Sequence, residues 1–316
     1  MTDRVAAVVF EQPGELAVRS VGLTLPGNGD CVVDVEWSGI STGTERLLWL
    51  GRMPAFPGLA YPLVPGYESV GRVSAVGSDC DLQLGQRVFV PGSRGFTDVQ
   101  GLFGGAAQRL VVDGGRVTPL AESLGEEATL LALAATAYRA VTRGPEGSLP
   151  DLIIGHGVLG RLAARTVIAL GGAAPTVWES QASRRTGAEG YSVIEADADT
   201  RSDYRLICDA SGAPGLLDTL ISRLAPAGCV ILAGFYQEPV SFAFPPAFMR
   251  EAQLRISAEW QPADLLRVTE LLASGALSLD GLITHRSPAA NAEPAYEQAF
   301  ADADCLKMIL DWRSAK

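Results

Sequence analysis

The sequence predicts an α/β protein in which an all-β, barrel-like region precedes a doubly wound parallel sheet flanked by helices. Three observations predict it. Short β-like runs broken by Gly and Pro fill the chain as far as Thr118. Between Asp151 and Phe235, apolar strand candidates alternate with amphipathic helical stretches. One of those strands, Asp151 to Ile154, runs directly into a glycine-spaced turn and then a helix. At 316 residues the chain holds about two domains.

In chain order, the β-like runs are Val5 to Phe10, Cys31 to Trp37, Ser69 to Val76, Gln86 to Val90 and Gln108 to Val112. A stretch rich in Ala and Leu, Glu122 to Val141, predicts a long helix, with Ser123 and Glu126 at capping-box spacing. Leu152 to Ile154, Thr176 to Trp178, Leu206 to Cys208 and Cys229 to Ala233 are the strands of the alternating region, which implies βαβ units. Beyond Pro245 and Pro246 follow a strand candidate at Leu254 to Ala258 and a helix from Pro262 to Ala273. A helix over Ala292 to Phe300 and a strand over Leu306 to Trp312 close the chain.

Composition excludes several classes of function. Lys plus Arg number 25 against 36 Asp plus Glu, a net charge of −11, so no basic surface advertises nucleic acid. With 47% hydrophobic and 19% charged residues the chain is not disordered. Apolar runs such as Leu130 to Ala135 are far shorter than a membrane span. The five cysteines lack CxxC pairing and no signal-peptide pattern opens the chain, which leads to the expectation of a reducing cytoplasm.

The most informative segment reads Gly155-His-Gly157-Val-Leu-Gly160, a GxGxxG turn between strand and helix. Gly155 permits the tight turn, Gly157 admits a pyrophosphate to the backbone, and Gly160 lets helix and strand pack closely. The positive end of the helix then faces the phosphates. Leu159, Leu162, Ala163, Thr166, Val167 and Leu170 give that helix one apolar stripe. Glu179, at the end of the next strand, is placed to accept hydrogen bonds from the adenine ribose hydroxyls, which favours NAD. Arg184 and Arg185 keep NADP open.

The runs Pro65-Gly-Tyr-Glu-Ser-Val-Gly-Arg, Gly85-Gln-Arg-Val, Gly104-Gly-Ala-Ala-Gln, Asp209-Ala-Ser-Gly212, Pro226 to Gly234 and Ile283-Thr-His-Arg286 accompany that turn. Together they make the whole chain resemble the medium-chain dehydrogenase/reductase superfamily. The resemblance implies a GroES-like β-barrel catalytic domain over 1–122 and a Rossmann NAD-binding domain over 123–253. It further implies a segment over 254–316 that returns to complete the catalytic domain. It also adds His156, Val158, Leu159, Arg184, Ala210, Gly234 and Phe235 to the cofactor-binding set, and a homodimer formed through Rossmann sheet edges. Within the superfamily, Ser38-Gly-Ile-Ser-Thr-Gly-Thr-Glu-Arg-Leu-Leu-Trp49, Met53-Pro-Ala-Phe-Pro-Gly, Tyr67-Glu-Ser and His156 are similar to the branch that acts on chlorophyllide-type tetrapyrroles. That likeness implies NAD-dependent oxidation of the C3 1-hydroxyethyl group to acetyl. The alternatives are a zinc-free NADPH-dependent quinone or enone reductase and a dinucleotide-binding protein without turnover.

Zinc-dependent relatives carry a Cys and a Gly-His-Glu run where this chain has Ser41 and Gly66-Tyr67-Glu68, and their four-Cys lobe is absent here. Hydroxyls are poor zinc ligands, so the expectation is a site with no metal. Ser41, Thr44, Tyr67 and Glu68, with Thr42 and Glu45 beside them, stand in place of the metal shell. Tyr67 would hydrogen-bond the reacting oxygen and Ser41 or Thr44 would relay its proton. For Glu68 a buried, paired role outweighs direct chemistry. Trp49, Met53, Phe56 and Tyr61 form a candidate wall for a flat macrocycle, or else a core or dimer contact.

Overall fold

Alternation sets the first layer of the fold. Along Asp30–Ile40 every second residue, from Cys31 through Val33 and Val35 to Trp37, is buried, so one face of this strand enters a core. The computed structural model describes residues 3–314. The chain divides into two compact units, one running to Ala132 and resuming at Leu282, the other spanning Leu133–Gly281.

In the first unit Asp30–Ile40 pairs antiparallel with Ser69–Val76, Arg109–Asp113 and Met308–Asp311. That sheet continues through Arg87–Val90 to Thr118–Pro119 on one side and His285–Pro288 on the other. A four-stranded sheet, in the order Glu15–Gly22, Arg4–Gln12, Leu63–Val64, Gln100–Gly101, completes the unit. The C-terminal strand is locked by apolar burial of Met308, Ile309 and Leu310 and by the Trp312 indole, which donates to Ser38 Oγ at 2.9 Å.

The second unit holds six parallel strands in the spatial order Ser192–Ile194, Thr176–Trp178, Leu152–Ile154, Tyr204–Asp209, Leu224–Leu232, Gln253–Ile256. In chain order within the unit this is 3-2-1-4-5-6, and the order reverses beside Leu152–Ile154. Such a switch point opens a crevice at the carboxyl ends of the strands. The helix Val158–Ala169 buries Leu162, Ala163, Thr166 and Val167 of the expected stripe.

The structure corrects three expectations here. The division between units falls after Ala132 and after Gly281, rather than after 122 and after 253. Gln253–Ile256 adds as a sixth strand beside Leu224–Leu232, and helix Pro262–Ala273 is tied to the same unit by Arg139 and Asp264 at 3.2 Å. The Ser123–Glu126 capping box does not form: Glu126 receives Arg286 Nε at 2.8 Å instead. A 3-10 turn, Glu126–Leu130, precedes the helix Leu131–Val141. Finally, apart from the strand Ser192–Ile194, 179–203 holds the short 3-10 turns Ala182–Arg185 and Ala196–Ala198 in place of helices. Gly187 and Gly190, both at positive φ, and a shortage of apolar residues leave nothing there to bury a helical face.

Candidate active site

The three motif glycines meet different surroundings. Gly155 adopts φ +91, the left-handed region, as the chain leaves its strand. A Cβ on Gly160 would lie 1.8 Å from the Gly155 carbonyl oxygen, so only glycine allows that helix to approach the strand. A Cβ on Gly157 would meet nothing within 4 Å, and Gly157 caps the helix with no side-chain acceptor. The first backbone N–H groups of the helix therefore face an open cradle, with Val158 and Leu159 in the first turn. These features fit a pyrophosphate.

Glu179 follows Thr176–Trp178 and is 7% exposed. Its Oε2 accepts the His156 backbone N–H at 2.8 Å and its Oε1 accepts Gln181 N–H at 2.7 Å. His156 itself is fully buried, its ring bonded to the Arg184 carbonyl at 2.6 Å and the Tyr191 hydroxyl at 2.8 Å. The His156 ring is thus engaged by residues 184 and 191, while its backbone N–H is engaged by Glu179. Arg184 likewise takes part through its carbonyl. Arg161, which sequence reasoning passed over, is 6% exposed and bonds the same segment. A charged residue one place beyond the motif reads in sequence as a solvated helix face, so nothing marked it.

At the carboxyl ends of the neighbouring strands sit Ala210, Gly234 and Phe235. Ala210 N–H donates to Ile154 O at 3.0 Å, and Gly234 N–H donates to Asp209 O at 2.9 Å. A Cβ on Gly234 would lie 2.3 Å from Gly212 N, which fixes two loops against each other. Phe235 is 53% exposed. Buried Asp209 gathers Ser211 Oγ at 2.6 Å and the Tyr236 hydroxyl at 2.5 Å.

In the first unit, the end of Asp30–Ile40 and the short helix Thr44–Trp49 bring Ser41 to Tyr67, hydroxyl to hydroxyl, at 2.6 Å. Thr44 is a second hydrogen-bond partner of the Tyr67 phenol. Burial and the neighbouring Glu68 push this phenol above its ordinary range, so it stays protonated and donates rather than serving as a standing base. Phe103 packs edge-on against Tyr67 with ring centroids 5.4 Å apart. Thr42 is exposed.

Glu45 and Glu68 are both fully buried; Glu45 uses both carboxylate oxygens, whereas Glu68 Oε1 has no hydrogen-bond partner. Glu45 accepts Ser41 N–H at 3.1 Å and the Tyr296 hydroxyl at 2.7 Å, and burial raises its carboxyl to about 8. Glu68 pairs with Lys307 Nζ at 2.6 Å, and Lys307 also donates to Ile40 O at 3.1 Å. Glu68 is 0% exposed, and its ion-pair partner Lys307 also holds the strand end that precedes Ser41. Lys307 and Tyr296 gave no signal in sequence, because they arrive from 239 and 251 residues away.

The candidate macrocycle wall is mostly core. Leu47 and Leu48 are buried, and Trp49, Met53 and Tyr61 pack half-buried against the first unit's apolar cluster. Trp49 lies edge-on to Phe10 at 5.7 Å, and the Tyr61 hydroxyl donates to Leu48 O at 2.5 Å. Only Phe56, at 37% exposed, remains presented outward. Among the described residues, no three His, Cys, Asp or Glu side chains gather as a metal site, and all five cysteines are free thiols.

The strand order, the GxGxxG cradle and the acid after the second strand define a dinucleotide-binding protein of the doubly wound class. Residues 27–122 match the alcohol dehydrogenase GroES-like domain. Among solved structures, 2R,3R-butanediol dehydrogenase from Bacillus subtilis superposes with TM-score 0.85 at 19% identity, covering 97% of this chain and 99% of that one. An Escherichia coli alcohol dehydrogenase complexed with NADH gives TM-score 0.83 at 21% identity, covering 98% and 99%. A Sinorhizobium meliloti zinc-binding dehydrogenase described as putative, bound to NADP, gives 0.81 at 20%, with the same coverage. The chain is 58% identical to the 2-desacetyl-2-hydroxyethyl bacteriochlorophyllide A dehydrogenase of Rhodobacter capsulatus, covering 98% of each. It is 54% identical to that of Cereibacter sphaeroides, covering 98% of this chain and 99% of the relative. The chain belongs to this bacteriochlorophyllide dehydrogenase family, and it is an oxidoreductase acting on a CH–OH group. No helix among the described residues is long and apolar enough to cross a membrane.

Proposed function

We propose that the enzyme oxidises the C3 1-hydroxyethyl group of a bacteriochlorophyllide to 3-acetyl, with NAD as hydride acceptor and without catalytic zinc. The observation that carries the substrate is the whole-chain likeness to relatives named for that pigment. When bound, the nicotinamide accepts a hydride from the carbinol carbon, and the carbinol oxygen gives up its proton. The pyrophosphate would rest on the open N-terminus at Gly157 to Leu159, and Glu179 would hold the adenine ribose hydroxyls. A 2′-phosphate beside the Glu179 carboxylate would meet like charge, which supports NAD over NADP. The carbinol hydroxyl would give its proton to the Tyr67 phenol oxygen as the phenol passes its own proton to Ser41 or Thr44, both bonded to it, and that hydroxyl hands one on to solvent.

Zinc normally lowers the alcohol's pKa. Here positive charge developing beside the macrocycle spreads into its π system, so less acid-base power is required. Hydroxyls of Ser41 and Tyr67, already bonded to one another, are a poor donor set for zinc. The test is direct: incubate the purified enzyme with NAD and a 3-(1-hydroxyethyl) bacteriochlorin and follow NADH together with the red-shifted acetyl product. No NADH from that substrate would refute the reading.

The chain acts in the cytoplasm as a homodimer in this reading. Gln253–Ile256 is the edge of the six-stranded sheet, and its Leu254 and Ile256 are 38% and 68% exposed. A second copy pairing there would satisfy the open edge and cover both side chains. Sedimentation of the enzyme at micromolar concentration decides between monomer and dimer.

A further inference from the structure

Arg161 stands one residue beyond the glycine motif, and its buried guanidinium bonds only to backbone carbonyl oxygens in the contacts that the structure shows. Nε donates to His156 O at 3.0 Å, Nη1 to Gly187 O at 3.1 Å, and Nη2 to Thr186 O at 2.8 Å and Arg184 O at 3.1 Å. One end of this fork thus grips the glycine turn and the other grips 184–187. His156 repeats the link in parallel. Because a carbonyl oxygen only accepts, the ring carries its proton on Nδ1 toward Arg184 O, and Nε2 accepts from Tyr191. Burial holds this imidazole neutral by lowering its pKa to about 4.

The gripped segment belongs to a stretch, 181–187, with little regular structure of its own. It contains one 3-10 turn, Ala182–Arg185, and Gln181, Ala182, Ser183, Thr186 and Gly187 are exposed. Yet its first residue supplies one of the two N–H groups that fix Glu179, Gln181 at 2.7 Å, while His156 on the glycine turn supplies the other at 2.8 Å. The carboxylate is therefore suspended between the two backbone pieces that Arg161 joins. Gly187 is fitted to the same contact: it sits at φ +74, and a Cβ there would come within 2.8 Å of Arg161 Nη1.

We infer that Arg161, with His156 and Tyr191, is a positioning device for coenzyme selection: it clamps 184–191 to the glycine turn and so fixes the Glu179 carboxylate at the ribose end of the site. This rests on the NAD reading above. Loosening the clamp frees Glu179 to turn away, which removes a ribose acceptor and also the negative charge that repels a 2′-phosphate. Affinity for NADH falls and discrimination against NADPH falls with it.

The experiment measures Kd for NADH and for NADPH by titration calorimetry, and amide hydrogen exchange over 181–191, in wild type, Arg161→Lys, Gly187→Ala and Tyr191→Phe. Arg161→Lys is expected to raise the NADH Kd about tenfold, to shrink the NADPH-to-NADH Kd ratio by a similar factor, and to speed exchange across 181–191. Gly187→Ala and Tyr191→Phe are expected to move the same ratio by about threefold, and they decide the matter if Arg161→Lys does not fold. A merely structural role would lower the melting temperature and leave the ratio unchanged. Wild type that prefers NADPH, or binds neither coenzyme, refutes the NAD reading beneath the inference. Wild type that prefers NADH while all three variants keep its ratio refutes the clamp itself.

Discussion

The Lys307 ammonium lies 2.6 Å from Glu68 Oε2 with both side chains sealed from water, Glu68 at 0% and Lys307 at 1% exposure. The pair joins the C-terminal return of the chain to the turn that carries Tyr67, and its second bond, to Ile40 O, reaches the residue before Ser41. Two of the proposed site's hydroxyls thus depend on one buried cation.

Removing half of a buried ion pair leaves an uncompensated charge. Lys307→Met is expected to destabilise the protein by about 3–5 kcal/mol in urea unfolding. Lys307→Met with Glu68→Gln, which removes both charges, should recover part of that loss. A single variant as stable as wild type would mean that the pair contributes nothing.

Glu45 gives stability a pH dependence. Its carboxyl titrates near 8 in the folded state, chiefly through burial, against an ordinary 4.5. Between those values the folded chain holds a proton that the unfolded chain has released. Its contribution is therefore greatest below pH 4.5, declines as pH rises toward 8 and is flat beyond. The slope is at most about 1.4 kcal/mol per pH unit. Glu45→Gln should flatten the stability curve across this window. An identical pH profile in the variant would assign the slope elsewhere.

The hydroxyl pair predicts a kinetic signature. Tyr67→Phe and Ser41→Ala should each lower kcat by about 10²-fold with the KM for NAD little changed, read in steady-state turnover of the pigment. Wild-type turnover in both variants would remove Tyr67 and Ser41 from the chemistry.

The glycines predict opposite failures. Gly160→Ala drives a Cβ against the Gly155 carbonyl at 1.8 Å, so thermal stability and coenzyme binding should fall together. Gly157→Ala enters open space, so the melting temperature should hold within a few degrees while the KM for NAD rises about tenfold or more. Equal loss of stability in the two would contradict their assigned roles.

For the metal, elemental analysis of enzyme purified without chelators should find well under one zinc per chain. About one tightly held zinc per chain would overturn the zinc-free reading.

Local pattern made much of this protein legible. The strand before Gly155, the glycine spacing and the apolar stripe at 162, 163, 166 and 167 are periodic, contiguous signals, and the structure forms the corresponding strand, turn and helix. Helix Pro262–Ala273 also matches its sequence boundaries, since Pro262 sets its start. The Leu47 to Tyr61 stretch was legible only as apolar. Whether apolar residues face a ligand or a core depends on what packs against them, and here Phe10 and its neighbours claim Trp49, Met53 and Tyr61.

The sequence by itself determined the two-part α/β architecture, the dinucleotide turn and the family, because each is written in neighbouring residues or in motifs shared along the chain. Only the tertiary structure decided the partners of the buried charges. Lys307 for Glu68, Tyr296 for Glu45 and the 184–187 carbonyls for Arg161 are joined across 239, 251 and at least 23 residues respectively. A charged side chain in sequence carries no mark of the distant group that makes its burial tolerable. That pairing exists once the sheets close and water leaves.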